Sequence, residues 1–218
     1  MKREQEKIRA ILLDVGDVLA ISKEPLKKYK NKTHHLGVHE SVAKKLNISL
    51  DQYFDSIDTT YAKSIEGKIA KDKVLETLSK NLKISKQKLI KVYSEVYKNQ
   101  FTQNFQLLKK LFKLKKQGYK IAVLSDQWHL SKEILMPKKI YKNFNVVAVS
   151  CGVGIRKPNL KIYQIIIKKL KLPSREILFI DNQQWNILPA KKIGMRTILF
   201  KNNKQLFNEK IWKELFKK

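Results

Sequence analysis

Apolar residues along this chain fall into two regimes. Five short runs, "AILLD" (10–14), "KIAVLS" (120–125), "NVVAVS" (145–150), "EILFID" (176–181) and "RTILF" (196–200), are rich in Val, Ile and Leu and lack strict alternation. That is the pattern of strands covered on both faces. Between the later runs, apolar positions recur at helical spacing. "FQLLKKLFKLKKQG" (105–118) sets Phe105, Leu108 and Phe112 on one face, gathers lysine in its last turn and stops at Gly118 as a C-cap. "PNLKIYQIIIKKLKL" (158–172), "NILPAKKIG" (186–194) and "NKQLFNEKIWKELF" (203–216) repeat the helical pattern. Strands alternating with helices predict an α/β fold with a doubly wound parallel sheet.

Residues 22–100 differ. "HESVAKKLNI", "LDQYFDSIDTTYA", "KDKVLETLSKNL" and "SKQKLIKVYSEVYK" read as helices, with starts at Ser49 and Ser85, and no strand is expected among them. The pattern predicts two parts. A sheet-bearing core is formed by 1–21 and 101–218, and an all-helical insertion by 22–100.

Composition places the chain among folded proteins, with 43% hydrophobic and 30% charged residues in 218. Asp14 and Asp17 interrupt the N-terminal apolar run, and no run approaches bilayer length, so neither a signal peptide nor a membrane helix is expected. The single cysteine, Cys151, excludes an internal disulfide and fits a reducing cytoplasm. Net charge is +28. Arginine appears only at 3, 9, 156, 175 and 196; the other basic residues are lysines scattered in pairs along helical faces. Readers of phosphate backbones lean on arginine forks and interleaved aromatics, which are missing, so the charge predicts unspecific polyanion binding rather than a dedicated nucleic-acid site.

In an open parallel sheet, ligands bind at the carboxyl ends of the strands. There the sequence sets Asp14, Ser125 with Asp126, and Asp181 with Asn182; Lys157 follows the "NVVAVS" strand in "GVGIRKP". Two carboxylates, a hydroxyl and a lysine on one edge suit Mg²⁺ and a phosphate, the equipment of phosphoryl transfer.

Four stretches in order, "LLDVGDVL", "VLSDQ", "GVGIRKPNLKIY" and "ILFIDNQQWNILPAKKIGM", resemble the four motifs of the haloacid dehalogenase-like hydrolases, from about Arg9 to Lys201. "IEGKIAKDKVLETLSKNLKIS" (65–85) resembles the helical cap of the subfamily holding the phosphatase half of soluble epoxide hydrolases and bacterial sugar-phosphate phosphatases. The resemblance implies a Rossmann-like core with a helical cap that helps to choose the substrate, a small phosphorylated metabolite. It implies Asp14 as nucleophile, forming an aspartyl-phosphate, with Ser125 and Lys157 steadying the phosphoryl group. It also implies Mg²⁺ held by Asp14, the Gly16 carbonyl and Asp181, and Asn186 at the family's recurrent asparagine. The dehalogenase branch shares the nucleophile, serine and lysine but needs no metal, and Asp181 favours the phosphatase side.

Two positions depart from that pattern. Gly16 stands where the family usually has a second aspartate as general acid and base, and Asn182 where it usually has a second acid. Asp17, Asp126 and Asn182 are candidates for supporting or substrate-contacting roles, although Asp17 also suits a turn and Asp126 a helix N-cap. His35 and His39 have i, i+4 spacing without a carboxylate partner and read as surface residues. Trp128 and His129 suit either the pocket or packing, Trp185 the core or rim, Cys151 a strand end, and Tyr53, Phe54 and Tyr61 a buried helix face. Three classes of function follow: a Mg²⁺-dependent phosphatase, a binding module on the same fold, for which Gly16 and Asn182 speak, and a nucleic-acid-associated protein, for which only charge speaks.

Overall fold

The computed structural model describes residues 7–23 and 34–217. Five parallel strands form the main sheet: β1 (Ala10–Leu13), β4 (Lys120–Ser125), β5 (Val146–Val149), β6 (Ile177–Asp181) and β7 (Arg196–Leu199), in the order β5-β4-β1-β6-β7. The chain runs outward from β1 through β4 to β5, then returns to build β6 and β7 on the other side. The reversal falls beside β1, where this class of sheet opens its ligand crevice.

The unbroken apolar runs fill two layers. Ile11, Leu13, Ile121, Val123, Leu178 and Ile180 face one side; Ala10, Leu12, Ala122, Leu124, Ile177 and Phe179 face the other. Side chains alternate between faces along a strand, so burial on both faces makes every position apolar. Helix α5 (Phe105–Lys116) covers the first face with Leu107, Leu108, Leu111 and Leu114. Helices α9 (Leu160–Leu170) and α10 (Gln184–Lys192) cover the second with Ile162, Tyr163, Ile166 and Ile187. Asn104 caps α5 through Leu107 N–H, and Gly118 takes φ +94° just past the Gln117 C-cap.

Between β1 and α5 lie four helices: α1 (His34–Leu46), α2 (Leu50–Ile65), α3 (Lys71–Asn81) and α4 (Lys86–Gln100). Ser49 caps α2 in a reciprocal box with Gln52, and Ser85 caps α4 through Lys88 N–H. Two short strands, unexpected from the sequence, flank these helices. β2 (Ala20–Ser22) and β3 (Phe101–Gln103) pair antiparallel, Ala20 opposite Gln103. Neither is long enough to carry a periodic signal.

Three short helices were also not expected: α6 (His129–Leu135), α7 (Lys138–Tyr141) and α8 (Ser150–Val153). The single C-terminal helix expected over 203–216 is two, α11 (Asn203–Asn208) and α12 (Lys210–Glu214), broken at Glu209, where φ −59° and ψ 132° are extended. Among the described residues no helix is long and apolar enough to cross a membrane.

Candidate active site

Asp14 leaves β1 at the crevice. Its N–H donates to Ile180 O at 3.0 Å, holding the chain in line with β6 for one residue past the strand. The chain then folds into a tight turn in which Val18, Leu19 and Ala20 N–H all donate to Val15 O. Asp17 occupies the left-handed region at φ 56° and donates its N–H to Ala20 O, so it serves the turn.

Lys157 lies in the loop between α8 and α9, with its side chain 1% exposed. Its ammonium is 2.7 Å from Asp181 Oδ2, 3.1 Å from Asp14 Oδ1 and 3.3 Å from Leu124 O. Burial pulls an ammonium pKa down, but Asp14, Asp181 and Asp126 outweigh it and hold Lys157 well above its ordinary range. The Asp14 contact is ionic only: it lacks hydrogen-bond alignment, and Asp14 Oδ1 has no hydrogen-bond partner.

Asp181 is fully buried and fully engaged. Oδ2 accepts from Lys157, Oδ1 from Gln183 N–H at 2.8 Å, and the Asn186 amide donates toward both at 3.2 and 3.1 Å. A carboxylate has about four acceptor sites, and all four are taken. Burial raises the Asp181 carboxyl against the downward pull of Lys157 and Gln183.

Ser125 ends β4, fully buried, and its Oγ accepts from Gln127 Nε2 at 3.1 Å. Gln127 is fixed in turn: its Oε1 accepts from Ser131 Oγ at 2.6 Å and its N–H donates to Ser150 Oγ at 3.1 Å. Asp126, between them, accepts the Lys157 main-chain N–H on Oδ1 at 3.1 Å and stands 3.7 Å from Arg156 Nε through Oδ2. It caps no helix: α6 begins at His129 with Trp128 as N-cap. Burial raises its carboxyl, opposed by Lys157 and Arg156.

The helical insertion roofs this edge. Trp128 leaves the core loop and packs among insertion aromatics, its Nε1–H donating to Tyr97 Oη at 3.1 Å, with Tyr61 and Tyr93 edge-on at 5.0 and 5.1 Å. His129 bonds Ser64 Oγ through its N–H and Ile69 O through Nε2. At the α2–α3 turn, Gly67 takes φ +66° and lies so close to the core that a Cβ there would stand 3.0 Å from Cys151 O and Gly154 Cα.

A divalent cation prefers hard oxygen donors. Among the described residues no set of three or more His, Cys, Asp or Glu side chains forms a metal cluster. The oxygens that fit an ion are Asp14 Oδ1, which has no hydrogen-bond partner although the Lys157 ammonium stands 3.1 Å away, and the Gly16 carbonyl, at a turn where no atom lies within 4 Å of a Cβ at Gly16. Asp181 reaches an ion only by giving up one of its four hydrogen bonds.

The structure brings Asp14, Lys157 and Asp181 into contact, with Asp126 against the Lys157 backbone. Asn182 follows Asp181, partly exposed. His39 is not at the surface: it is 7% exposed, and its Nδ1 lies 2.9 Å from Tyr53 Oη, which is 2.6 Å from Tyr93 Oη. The side chain of His35 lies outside the described residues. Trp185, 59% exposed, is outside the core. Sequence reasoning missed Gln127, a neutral amide with no motif of its own. It also missed Tyr141, whose buried hydroxyl lacks a hydrogen-bond partner and is raised by burial and by the charge of Asp14.

A model of the family "Haloacid dehalogenase-like hydrolase" matches residues 18–200. Bifunctional epoxide hydrolase 2 of Sus scrofa is 26% identical over 111 residues, which are 49% of this chain and 20% of that protein. The chain thus spans a small part of that relative's length. Glyceraldehyde 3-phosphate phosphatase of Pyrococcus abyssi is 29% identical over 102 residues, 44% of this chain and 41% of that one. A HAD-family enzyme from Bacteroides thetaiotaomicron, solved with magnesium and inorganic phosphate, shares the fold with a TM-score of 0.68 at 18% identity, covering 96% of this chain and 100% of its own.

Proposed function

The chain belongs to the haloacid dehalogenase-like hydrolase family, and we propose that it hydrolyses a small phosphate monoester through Asp14. The observation that carries this reading is the Asp14 carboxylate at the end of β1, one oxygen without a hydrogen-bond partner and 3.1 Å from a permanently charged Lys157. A carboxylate held at a strand end beside a buried cation is a nucleophile placed where anionic phosphate is attracted. The relative named glyceraldehyde 3-phosphate phosphatase and the neighbour solved with magnesium and phosphate support the same chemistry.

In the proposed reaction an Asp14 oxygen attacks phosphorus as the ester phosphorus–oxygen bond breaks, the departing oxygen takes up a proton from solvent or from an acid of the site, and an aspartyl-phosphate remains. Water then attacks that phosphorus, phosphate leaves and the Asp14 carboxylate is restored. Lys157 and Ser125 hold the phosphoryl oxygens and offset their charge. Asp181 keeps Lys157 aimed at Asp14, and Gln127 keeps Ser125 in place. Mg²⁺, when bound by Asp14 and the Gly16 carbonyl, adds positive charge beside the phosphoryl oxygens.

Phosphate release from p-nitrophenyl phosphate, with and without Mg²⁺, tests the reading. Native protein is expected to turn over only with Mg²⁺, and Asp14→Asn to lose on the order of 10³-fold or more while remaining folded. Equal rates in native and variant proteins would refute it.

A further inference from the structure

Gly16 has no side chain to move a proton. An alkyl phosphate whose leaving oxygen departs unprotonated reacts slowly, and a positioned acid supplies roughly 10²–10⁴-fold. Either this site handles only activated esters, or another group carries the proton.

Three carboxylates act on Lys157: Asp14, Asp181 and Asp126. The first is the nucleophile of the proposed reaction. Asp181 is sealed, with both oxygens fully used. Asp126 alone keeps capacity. Its side chain is 19% exposed, its Oδ1 is held by the Lys157 main-chain N–H, and its Oδ2 stands 3.7 Å from Arg156 Nε, beyond hydrogen-bond distance. It follows Ser125 directly, so it stands at the same strand end as the phosphate-holding hydroxyl.

We propose that Asp126 is the general acid and base of this site, in place of the side chain that Gly16 lacks. The assignment rests on the phosphatase reading. As the Asp14 oxygen–phosphorus bond forms and the ester phosphorus–oxygen bond breaks, the Asp126 carboxyl passes its proton to the departing oxygen, which leaves as a neutral alcohol. The resulting Asp126 carboxylate then takes a proton from the attacking water as the new phosphorus–oxygen bond forms. Phosphate leaves, and Asp14 and Asp126 return to their starting states.

The surroundings favour the protonated form more than water does. Burial raises the Asp126 carboxyl, and the nearby charge of Asp181 on β6 adds to this; Lys157 and Arg156 oppose it from the adjoining loop. From the roof, Tyr61 of α2, itself raised by burial, feels both Arg156 and Asp126.

Asp126→Asn keeps an oxygen for the Lys157 N–H and removes only the ionisable proton. The experiment measures kcat/KM, with Mg²⁺, for p-nitrophenyl phosphate and for glycerol phosphate. Nitrophenolate needs no proton to leave, so that substrate is expected to lose less than about threefold, and the alkyl ester about 10²-fold or more. Adding Gly16→Asp to Asp126→Asn is expected to restore alkyl ester hydrolysis. Equal losses on both substrates would show that Asp126 only positions the Lys157 loop, and would overturn the proposal, as would no loss on either. If Asp126→Asn does not fold, the native enzyme decides. A series of phenyl phosphates should show a shallow dependence of rate on leaving-group pKa, and a steep one overturns the proposal. Native protein inactive on every ester, the nitrophenyl one included, would instead refute the phosphatase reading, and the role of Asp126 with it.

Discussion

The Lys157 ammonium sits 2.7 Å from Asp181 Oδ2, with the two side chains 1% and 0% exposed. Neither charge reaches water, so each depends on the other and on the groups around them. Lys157→Met keeps the side-chain length but leaves Asp181 and Asp14 without their shared cation. Breaking a buried pair from one side costs about 3–5 kcal/mol. Urea unfolding should report a loss of that size, and a variant as stable as the native protein would contradict the pairing.

Gly67 meets the core where there is no space for a side chain. A Cβ there would stand 3.0 Å from Cys151 O and Gly154 Cα, both backbone atoms, at a φ of +66° that suits glycine. Gly67→Ala is expected to destabilise the protein by about 1–3 kcal/mol, read as a lower midpoint in thermal denaturation. An unchanged midpoint would mean that the turn lies farther from the core.

Trp128 joins core and roof through one donated hydrogen bond. Trp128→Phe keeps most of the ring packing against Tyr61 and Tyr93 but leaves the Tyr97 hydroxyl without the indole N–H. The Tyr97 hydroxyl keeps its hydrogen bond with Ser131, so losing the one bond is expected to cost about 0.5–1.5 kcal/mol, read in urea unfolding. Fluorescence adds a second readout: Trp128 and Trp212 are each 1% exposed and Trp185 59%. The variant should therefore lose part of the blue-shifted emission, Trp212 keeping the rest, while acrylamide still quenches Trp185.

Asp126 makes stability depend on pH in a defined direction. Burial places its folded pKa above the unfolded value of about 3.9. The folded state therefore binds the proton more tightly than the unfolded chain does. That stabilisation is complete below the unfolded value and is lost as pH rises through the folded one. Asp126→Asn does not titrate, so its midpoint relative to native should rise with pH across that window and level off above it. A relative midpoint that falls with pH would mean that Arg156 and Lys157 dominate.

Much of this was legible because burial on both faces leaves a strong mark. The five apolar runs became the five strands of the main sheet to within a residue or so at each end. Ser49 and Ser85 announced helices because a hydroxyl before a helical pattern satisfies the first free N–H groups. Other features left no local mark. Three-residue strands such as Ala20–Ser22 exist only because Phe101–Gln103, some eighty positions away, completes their hydrogen bonds. His39 read as a surface residue because nothing adjacent in sequence reveals Tyr53 and Tyr93 behind it. Asp126 sits where a cap residue would, but Trp128 draws the chain upward into the roof, so the helix begins three residues after Asp126. The engagement of Asp181 by Asn186 and Gln183 follows from the β6 turn, and residue identity alone did not reveal it.

The chain leaves the core at Ala20–Ser22 and re-enters it at Phe101–Gln103 with the two segments zipped together. Asn104 fastens the seam, its N–H bonded to Leu19 O and its amide to Val18 O. To the main sheet, everything between those strands is one long excursion with closely spaced ends. Loop-closure entropy grows only slowly with length, so the length of the excursion is a weak constraint on the sheet that carries Asp14, Lys157 and Asp181, and its fit to the core rests on the contacts of Gly67, Trp128 and His129. The seam thus separates two tasks within one chain: the strands below carry the charged side chains, and the segment above covers them.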